Sequence, residues 1–290
     1  MPRLMERLRR RWLGPLFDRL GYDLVPATPD WAHRPVSPHE VEELLGNAAA
    51  QLAADLAAAG IPCRHDVRAL VGEFWDLIPR APVRQRRGGS GFNGALQLFV
   101  LMRALEPDHV IESGVFRGLT TWVIRQARPD ARIFCRDPDL SGLQYRDPGA
   151  TYCTQDWSTA DWSALDPART VAFFDDHVAQ ARRVVEARAR GLTRLVFDDD
   201  AAGHRIHTHG GPAHPTIAMV RALHETGPAR REPIRWQRNG RVFEQPADDP
   251  LVRKAARLIA RAHAFDDLHG ATGYSPARLT YVALHPEGGG

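Results

Sequence analysis

Two short acidic runs, FFDDH at 173–177 and VFDDD at 196–200, put several carboxylates where a hydrophobic stretch gives out. If those stretches are neighbouring strands, about 4.8 Å apart, their acids converge on one crevice. Like charges that close need a cation, a shared proton or solvent. A cluster offering only oxygen ligands suits Mg²⁺ or Ca²⁺. The competing reading is a set of solvated strand ends or helix caps. A loop dense in imidazoles follows directly, AGHRIHTHGGPAHPT at 202–216, with His204, His207, His209 and His214. Imidazole mixed with carboxylate is a known zinc or iron ligand set. The H-x-x-H-x-H spacing, however, matches neither HExxH nor a zinc finger. A loop facing a substrate, with His209 or His207 as polar contact or base, fits better, and plain surface histidines are the bland alternative.

A third stretch, HVIESGVFRGLTTWVI at 109–124, packs an acid and two glycines between a hydrophobic run and an amphipathic one. It reads as strand, turn and helix. Glu112 closes the strand, Gly114 frees the backbone to bend and to approach a ligand, and Gly118 lets the next helix pack close. The spacing is ExGxxxG, not the GxGxxG of dinucleotide-binding turns, so a pyrophosphate at the helix N-terminus is poorly supported. Two further acids recur at strand ends, in CRDPD (135–139) and QDW (155–157).

Those residues need a scaffold, and from residue 94 the pattern supplies one. ALQLFVLMRAL predicts a helix, and HVIES (109–113) a short buried strand. Residues 118–128 return to helix. RIFCRD (132–137), ATYCTQD (150–156), TVAFFDD (170–176) and TRLVFDDD (193–200) predict four more strands, and LTYVALH (279–285) the last. VAQARRVVEARARG is a helix ending at Gly191, and PIRWQ and RVFEQ lie near 233–245. Alternation of this kind predicts an α/β fold with a Rossmann-like, doubly wound, mostly parallel sheet. Its ligands sit beyond the carboxyl ends of the strands, at the switch point. Residues 1–80 read as an N-terminal helical extension and linker, and 81–290 as the sheet domain. Ser37 and Pro38 open an alanine-rich helix that Gly60 closes. VPATPDWAHRPVSP (25–38) is a linker by its prolines. RQRRGGSGFNG (84–94) is a basic, glycine-rich loop that either binds an anion through Arg84, Arg86 and Arg87 or is a solvated connection.

The chain from about 94 to 200 resembles the class I S-adenosylmethionine-dependent methyltransferases. The resemblance implies that Glu112, Gly114 and Gly118 belong to the first cofactor motif. It implies that Asp137, with Asp139 in reserve, holds the ribose hydroxyls, since a carboxylate can accept from both. Asp156 would then lie by the adenine amino group, with Trp157 packing on the ring. Among these enzymes, FFDDH and VFDDD are similar to the motifs of the macrocin-type O-methyltransferases and their cephalosporin-hydroxylase-like relatives. That likeness implies a divalent cation, Mg²⁺, on Asp175, Asp198 and Asp199, and a base at Asp176 or His177. The base reading extends to His209. FFDDH lacks the family's glycine and is one residue short, which leaves Asp175 and Asp176 interchangeable at this point. The implied activity is methyl transfer from S-adenosylmethionine to a hydroxyl of a small, sugar-like molecule. The alternatives are a non-catalytic binding or scaffold protein of the same fold, and a His/Asp metalloenzyme.

Composition narrows the classes. With 290 residues, 43% hydrophobic and 25% charged, the chain is ordinary for a soluble globular protein of one large domain or a domain with an appendage. No run approaches the roughly 18 apolar residues of a membrane span, and the first residues lack a signal-peptide core. Cys63, Cys135 and Cys153 have no metal-like spacing, so reduced thiols and a cytoplasmic location are expected. Lys254 is the sole lysine, and the arginines are interspersed with acids. With no basic tract and no [DN]PP[YF] motif, a nucleic-acid partner is not expected. Residues 4–20 predict a basic amphipathic helix with Leu4, Leu8, Trp12, Leu13, Leu16 and Leu20 on one face. That face suits an anionic membrane surface at the inner leaflet, or packing on the chain's own domain or on a second copy of it.

Overall fold

The computed structural model describes residues 12–21, 28–83, 89–202, 214–225, 232–238, 240–277 and 279–286. After a short helix α1 (Gly14–Arg19), helices α2 (Pro38–Ala58), α3 (Val67–Leu77) and α4 (Phe92–Leu105) lead into the sheet. The βα alternation then runs β1 (His109–Ser113), α5 (Leu119–Ala127), β2 (Arg132–Arg136), β3 (Thr151–Cys153), β4 (Thr170–Phe174), α6 (Gln180–Ala189), β5 (Arg194–Phe197) and α7 (Ile217–Glu225). The last part holds β6 (Ile234–Arg238), β7 (Arg241–Gln245), α8 (Pro250–Leu258), β8 (Ile259–Ala264), α9 (His269–Thr272) and β9 (Thr280–Leu284).

Seven strands form one sheet in the order β3-β2-β1-β4-β5-β9-β8. The first five are parallel, and β9 runs antiparallel between β5 and β8. The expected doubly wound, mostly parallel sheet is therefore present. Its order reverses between β1 and β4, which opens the crevice where such sheets bind ligands.

The strands read as unbroken apolar runs because both faces are covered. Val171 and Phe173 of β4 face one cluster, with Leu52 of α2, Phe74 of α3, Phe99 of α4 and Val123 of α5. Ala172 and Phe174 face the other, with Val184 of α6, Val220 of α7 and Val252 of α8. Helices α2 and α3 thus share the sheet's own core. α4 is buried along nearly its whole length, and its two amides are satisfied there. Asn93 donates to the carbonyls of Tyr274 and Ser275 and accepts from Thr272, while Gln97 donates to the Asp266 carbonyl and accepts from the Leu279 amide.

Several details differ from the sequence reading. The proline-rich stretch 25–38 is no free linker where it is described, because Asp30 and Trp31 are buried. The Asp30 carboxylate accepts from the amides of Trp31, Phe92 and Ser275, clamping the start of α4. Among the described residues, β6 and β7 pair only with each other. β8 follows α8 without a break, so helical periodicity hides it. Of the N-terminal helix, residues 12–21 are described, and Trp12, Leu13, Leu16 and Leu20 are all exposed there. No helix among the described residues is long and apolar enough to cross a membrane.

Candidate active site at the carboxyl ends of β1 to β5

Register sets the height of the site. Ser113 is level with Arg136 on one side and Phe174 on the other, and Phe174 with Phe197. The next residue on each strand is therefore Gly114, Asp137, Asp175 and Asp198, in one row. The ladder carries on into that row: Gly114 N donates to Arg136 O at 2.8 Å, Asp175 N to Ser113 O at 2.8 Å, and Asp198 N to Phe174 O at 2.9 Å. Sheet pairing, not side-chain chemistry, brings the acids together.

At the β1 end, Gly114 has φ +90°, and a Cβ there would collide with the Asp175 carbonyl oxygen. The glycine is required by the neighbouring strand end as well as by any ligand. Gly118 has φ +88° and lies against the Tyr145 carbonyl, which leaves no room for a Cβ. Glu112 is fully buried. Its two oxygens accept from Thr120 and Thr121 hydroxyls at 2.6 Å each, and Cys135 Sγ lies at 3.4 Å. Burial pushes its carboxyl up to about 7 despite those donors.

Asp137 reaches back across the turn, with Oδ2 accepting from the amides of Val115 at 2.7 Å and Phe116 at 3.0 Å. Its Oδ1 accepts from the Asp139 amide. This carboxylate thereby shapes the β1 turn. Asp156 caps the short turn after β3 through the Ser158 amide and pairs with Arg183. Partial burial alone would raise its pKa, but Arg183 and Ser158 hold it well below the usual carboxylate range. Trp157, expected against an adenine ring, is instead a core side chain. It is fully buried and meets Phe174 edge-on at 5.1 Å, because the chain turns inward after Asp156.

The β4 and β5 ends supply a second group. Ligand atoms of Asp175, His177 and Asp199 all lie within 4.8 Å of one another, a spacing suited to one metal ion. His177 Nε2 is 3.1 Å from Asp199 Oδ2 and 4.0 Å from Asp175 Oδ1. Asp198 stands beside this group, accepting from the Asp199 amide and, at 3.3 Å, from the Ser90 hydroxyl. Burial, then the charge of Asp199, pushes Asp198 up to about 7, and burial with Asp198 and Asp199 raises Asp175. The hydrogen bond to Asp199 raises His177. Asp200 points away from the crevice to accept from Thr280 and the Ala218 amide.

Asp176 is largely buried, its side chain 9% exposed, and is engaged by the chain itself. It accepts from the Ser113 hydroxyl at 2.6 Å, from Arg183 Nε at 2.9 Å and from the Val178 amide. The two adjacent acids thus differ in placement, with Asp175 in the Asp175–His177–Asp199 group and Asp176 turned to Arg183. His204, His207 and His209, with Arg84, Arg86 and Arg87, lie outside the described residues. Of the 202–216 histidines only His214 is described, and it packs edge-on to Trp236 at 5.4 Å.

Strain gathers at the same place. Phe116, His177 and Asp199 take left-handed φ values of 48°, 55° and 56°. Such conformations cost about 1–3 kcal/mol each in non-glycine residues and cluster at working sites. Sequence reasoning missed Arg183, Ser90 and the Thr120–Thr121 pair. Arg183 looked like one more helix-face arginine, and no spacing rule joins it to acids 7 and 27 positions away.

No family model matches the sequence, and no curated protein matches it. Solved structures do align with the chain. One described as "cmcI-N160 SAH" shares 18% identity over 35% of this chain and 57% of its own, with a TM-score of 0.29. This chain thus spans just over half of that one. The O-methyltransferase TomG from Streptomyces achromogenes, in complex with SAM, shares 16% identity over 80% of this chain and 96% of its own, at a TM-score of 0.38. An O-methyltransferase from Bacillus cereus in complex with SAH shares 14% over 80% and 97%, also at 0.38. At these scores the alignments carry no argument about function, and the fold rests on its own strand order.

Proposed function

We propose that the protein is an S-adenosylmethionine-dependent O-methyltransferase acting on a hydroxyl of a small, sugar-like molecule, assisted by a divalent cation. The observation that carries this reading is the row of acids beyond one parallel sheet. Asp137 faces the glycine turn at the switch point, and Asp175, His177 and Asp199 gather two strands away. The first part suits a nucleoside with vicinal hydroxyls, and the second suits a hydroxylated acceptor.

The donor set fits a metal. Two carboxylates and an imidazole lie around one point, and burial, then the charges of neighbouring aspartates, raises the carboxyls of Asp175 and Asp198, a cost that a cation would relieve. Asp175, His177 and Asp199 would hold the ion. Bound there, it would lower the pKa of an acceptor hydroxyl. The imidazole moves the preference from Mg²⁺ alone toward Mn²⁺ or Fe²⁺.

For the transfer, the acceptor oxygen must lie in line with the sulfonium methyl. The C–O bond forms as the C–S bond breaks, the electron pair stays on sulfur, and the hydroxyl proton leaves. The protein's main task is alignment. Asp137 would hold the ribose, Gly114 would leave room for the methionine end, and Asp156 would meet the adenine edge. A second, metal-free reading is favoured by one observation, the His177–Asp199 pair at 3.1 Å. There His177 takes the proton and Asp199 stabilises the imidazolium.

The test is methyl transfer from labelled S-adenosylmethionine to a panel of sugar diols, with chelator and with Mg²⁺ or Mn²⁺ restored. The metal-assisted reading expects chelator to abolish turnover, either cation to restore it, and Asp199→Asn to remove it without loss of S-adenosylhomocysteine binding. Full turnover in chelator would leave the His177 reading. Binding of neither nucleoside would end both.

A further inference from the structure

Arg183 is almost completely buried, yet its guanidinium serves three carboxylates from two strand ends and its own helix. NH1 and NH2 grip Asp156 at 3.1 and 2.7 Å, Nε donates to Asp176 at 2.9 Å, and NH1 also donates to Glu186 at 2.7 Å. The head lies about as far from the rings of Trp157 and Phe174, 5.9 and 6.0 Å, which close its inner side. A buried arginine with a planar fork fixes the plane and rotation of the carboxylate it grips, which a lysine cannot do.

What this leaves on Asp156 is specific. A carboxylate has about four lone-pair positions. Oδ1 accepts from the Ser158 amide and from Arg183, and Oδ2 from Arg183. The Ser158 hydroxyl is a further partner, and the side chain stays 38% exposed while Arg183 beneath it is 2% exposed. An exposed, ionised carboxylate whose plane is fixed accepts an N–H donor and repels a carbonyl oxygen. Asp176, tied to the same guanidinium, is kept out of the Asp175–His177–Asp199 group.

We propose that Arg183 is the positioning residue of a nucleobase-reading site, fixing Asp156 so that it accepts one exocyclic amino hydrogen and rejects a 6-oxo base. This rests on the cofactor reading above and adds to it the residue that sets base discrimination.

The test compares calorimetric binding of S-adenosylhomocysteine and S-inosylhomocysteine, which differ by amino against oxo at C6 and by a bare against a protonated N1. The full-length wild type should prefer the adenosyl ligand by at least about tenfold, because the oxo group meets an acceptor. Arg183→Lys keeps the charge and loses the fork. It should bring the two affinities to within about threefold of each other, with the adenosyl ligand weakened and the inosyl ligand little changed. Asp156→Ala, at a half-exposed position, should do the same, and the double variant should lose no more than either single one. If Arg183→Lys fails to fold, Arg183→Gln, which keeps a donor but loses the fork, takes its place and should narrow the ratio in the same way. A wild type that binds both ligands equally, or an Arg183→Lys or Asp156→Ala protein that keeps the wild-type ratio, overturns the inference. A wild type that binds neither overturns the cofactor reading instead.

Discussion

Replacing Glu112 by glutamine should change how stability depends on pH more than it changes the structure. The carboxyl is fully buried, with the Thr120 and Thr121 hydroxyls at 2.6 Å on its two oxygens. Burial raises its pKa from 4.5 to about 7. Between those values the folded protein keeps a proton that the unfolded chain has lost, so this group's contribution falls as pH rises and is gone near pH 7. At about 1.4 kcal/mol per unit, the window amounts to about 3 kcal/mol. Glutamine has no proton to lose, and it can accept from one threonine and donate to the other. Urea unfolding of both proteins from pH 4.5 to 8 reads the effect, with Asp198 and His177 common to both, while Asp175, which the Glu112 charge helps to raise, shifts with the substitution in the same direction of pH. The Glu112→Gln protein should gain on the wild type by about 3 kcal/mol between pH 4.5 and 7. Parallel stability curves would show that Glu112 is ionised when folded, and the account of the buried turn would be wrong.

Other perturbations test the scaffold. Gly114→Ala, whose Cβ would collide with the Asp175 carbonyl oxygen, should destabilise by at least about 2 kcal/mol in thermal melts, and a neutral result would contradict that packing. Asp30→Ala strands the Phe92 and Ser275 amides and should cost about 3 kcal/mol, read by urea unfolding. Deleting residues 1–24 removes the exposed Trp12, Leu13, Leu16 and Leu20. It should reduce co-sedimentation with anionic vesicles at low salt while leaving nucleoside binding intact. A full-length protein that never co-sediments rules out the membrane reading of that helix.

The sheet was largely legible because parallel strands covered on both faces must be apolar throughout, as in TVAFF and RLVF. β8 was not legible, since Ile259–Ala264 continues α8 with no glycine or proline between them. The strand-end acids could be seen as candidates, but not sorted. Asp175 and Asp176 are equivalent in sequence, and only Ser113 and Arg183 set them apart. The same holds for Trp157, whose fate depends on whether the chain turns inward or outward after Asp156. Strand patterns locate a crevice. The long-range partners that orient each side chain, such as Ser90 on Asp198 across 108 positions, leave no local mark.

The most direct measurement of the central claim is calorimetric titration of the protein with S-adenosylhomocysteine, beside Asp137→Ala. The account predicts saturable one-to-one binding, weakened by about 1–3 kcal/mol, or roughly five- to 150-fold, when the Asp137 carboxylate is lost. No binding by the wild type, or equal affinity in Asp137→Ala, would contradict it.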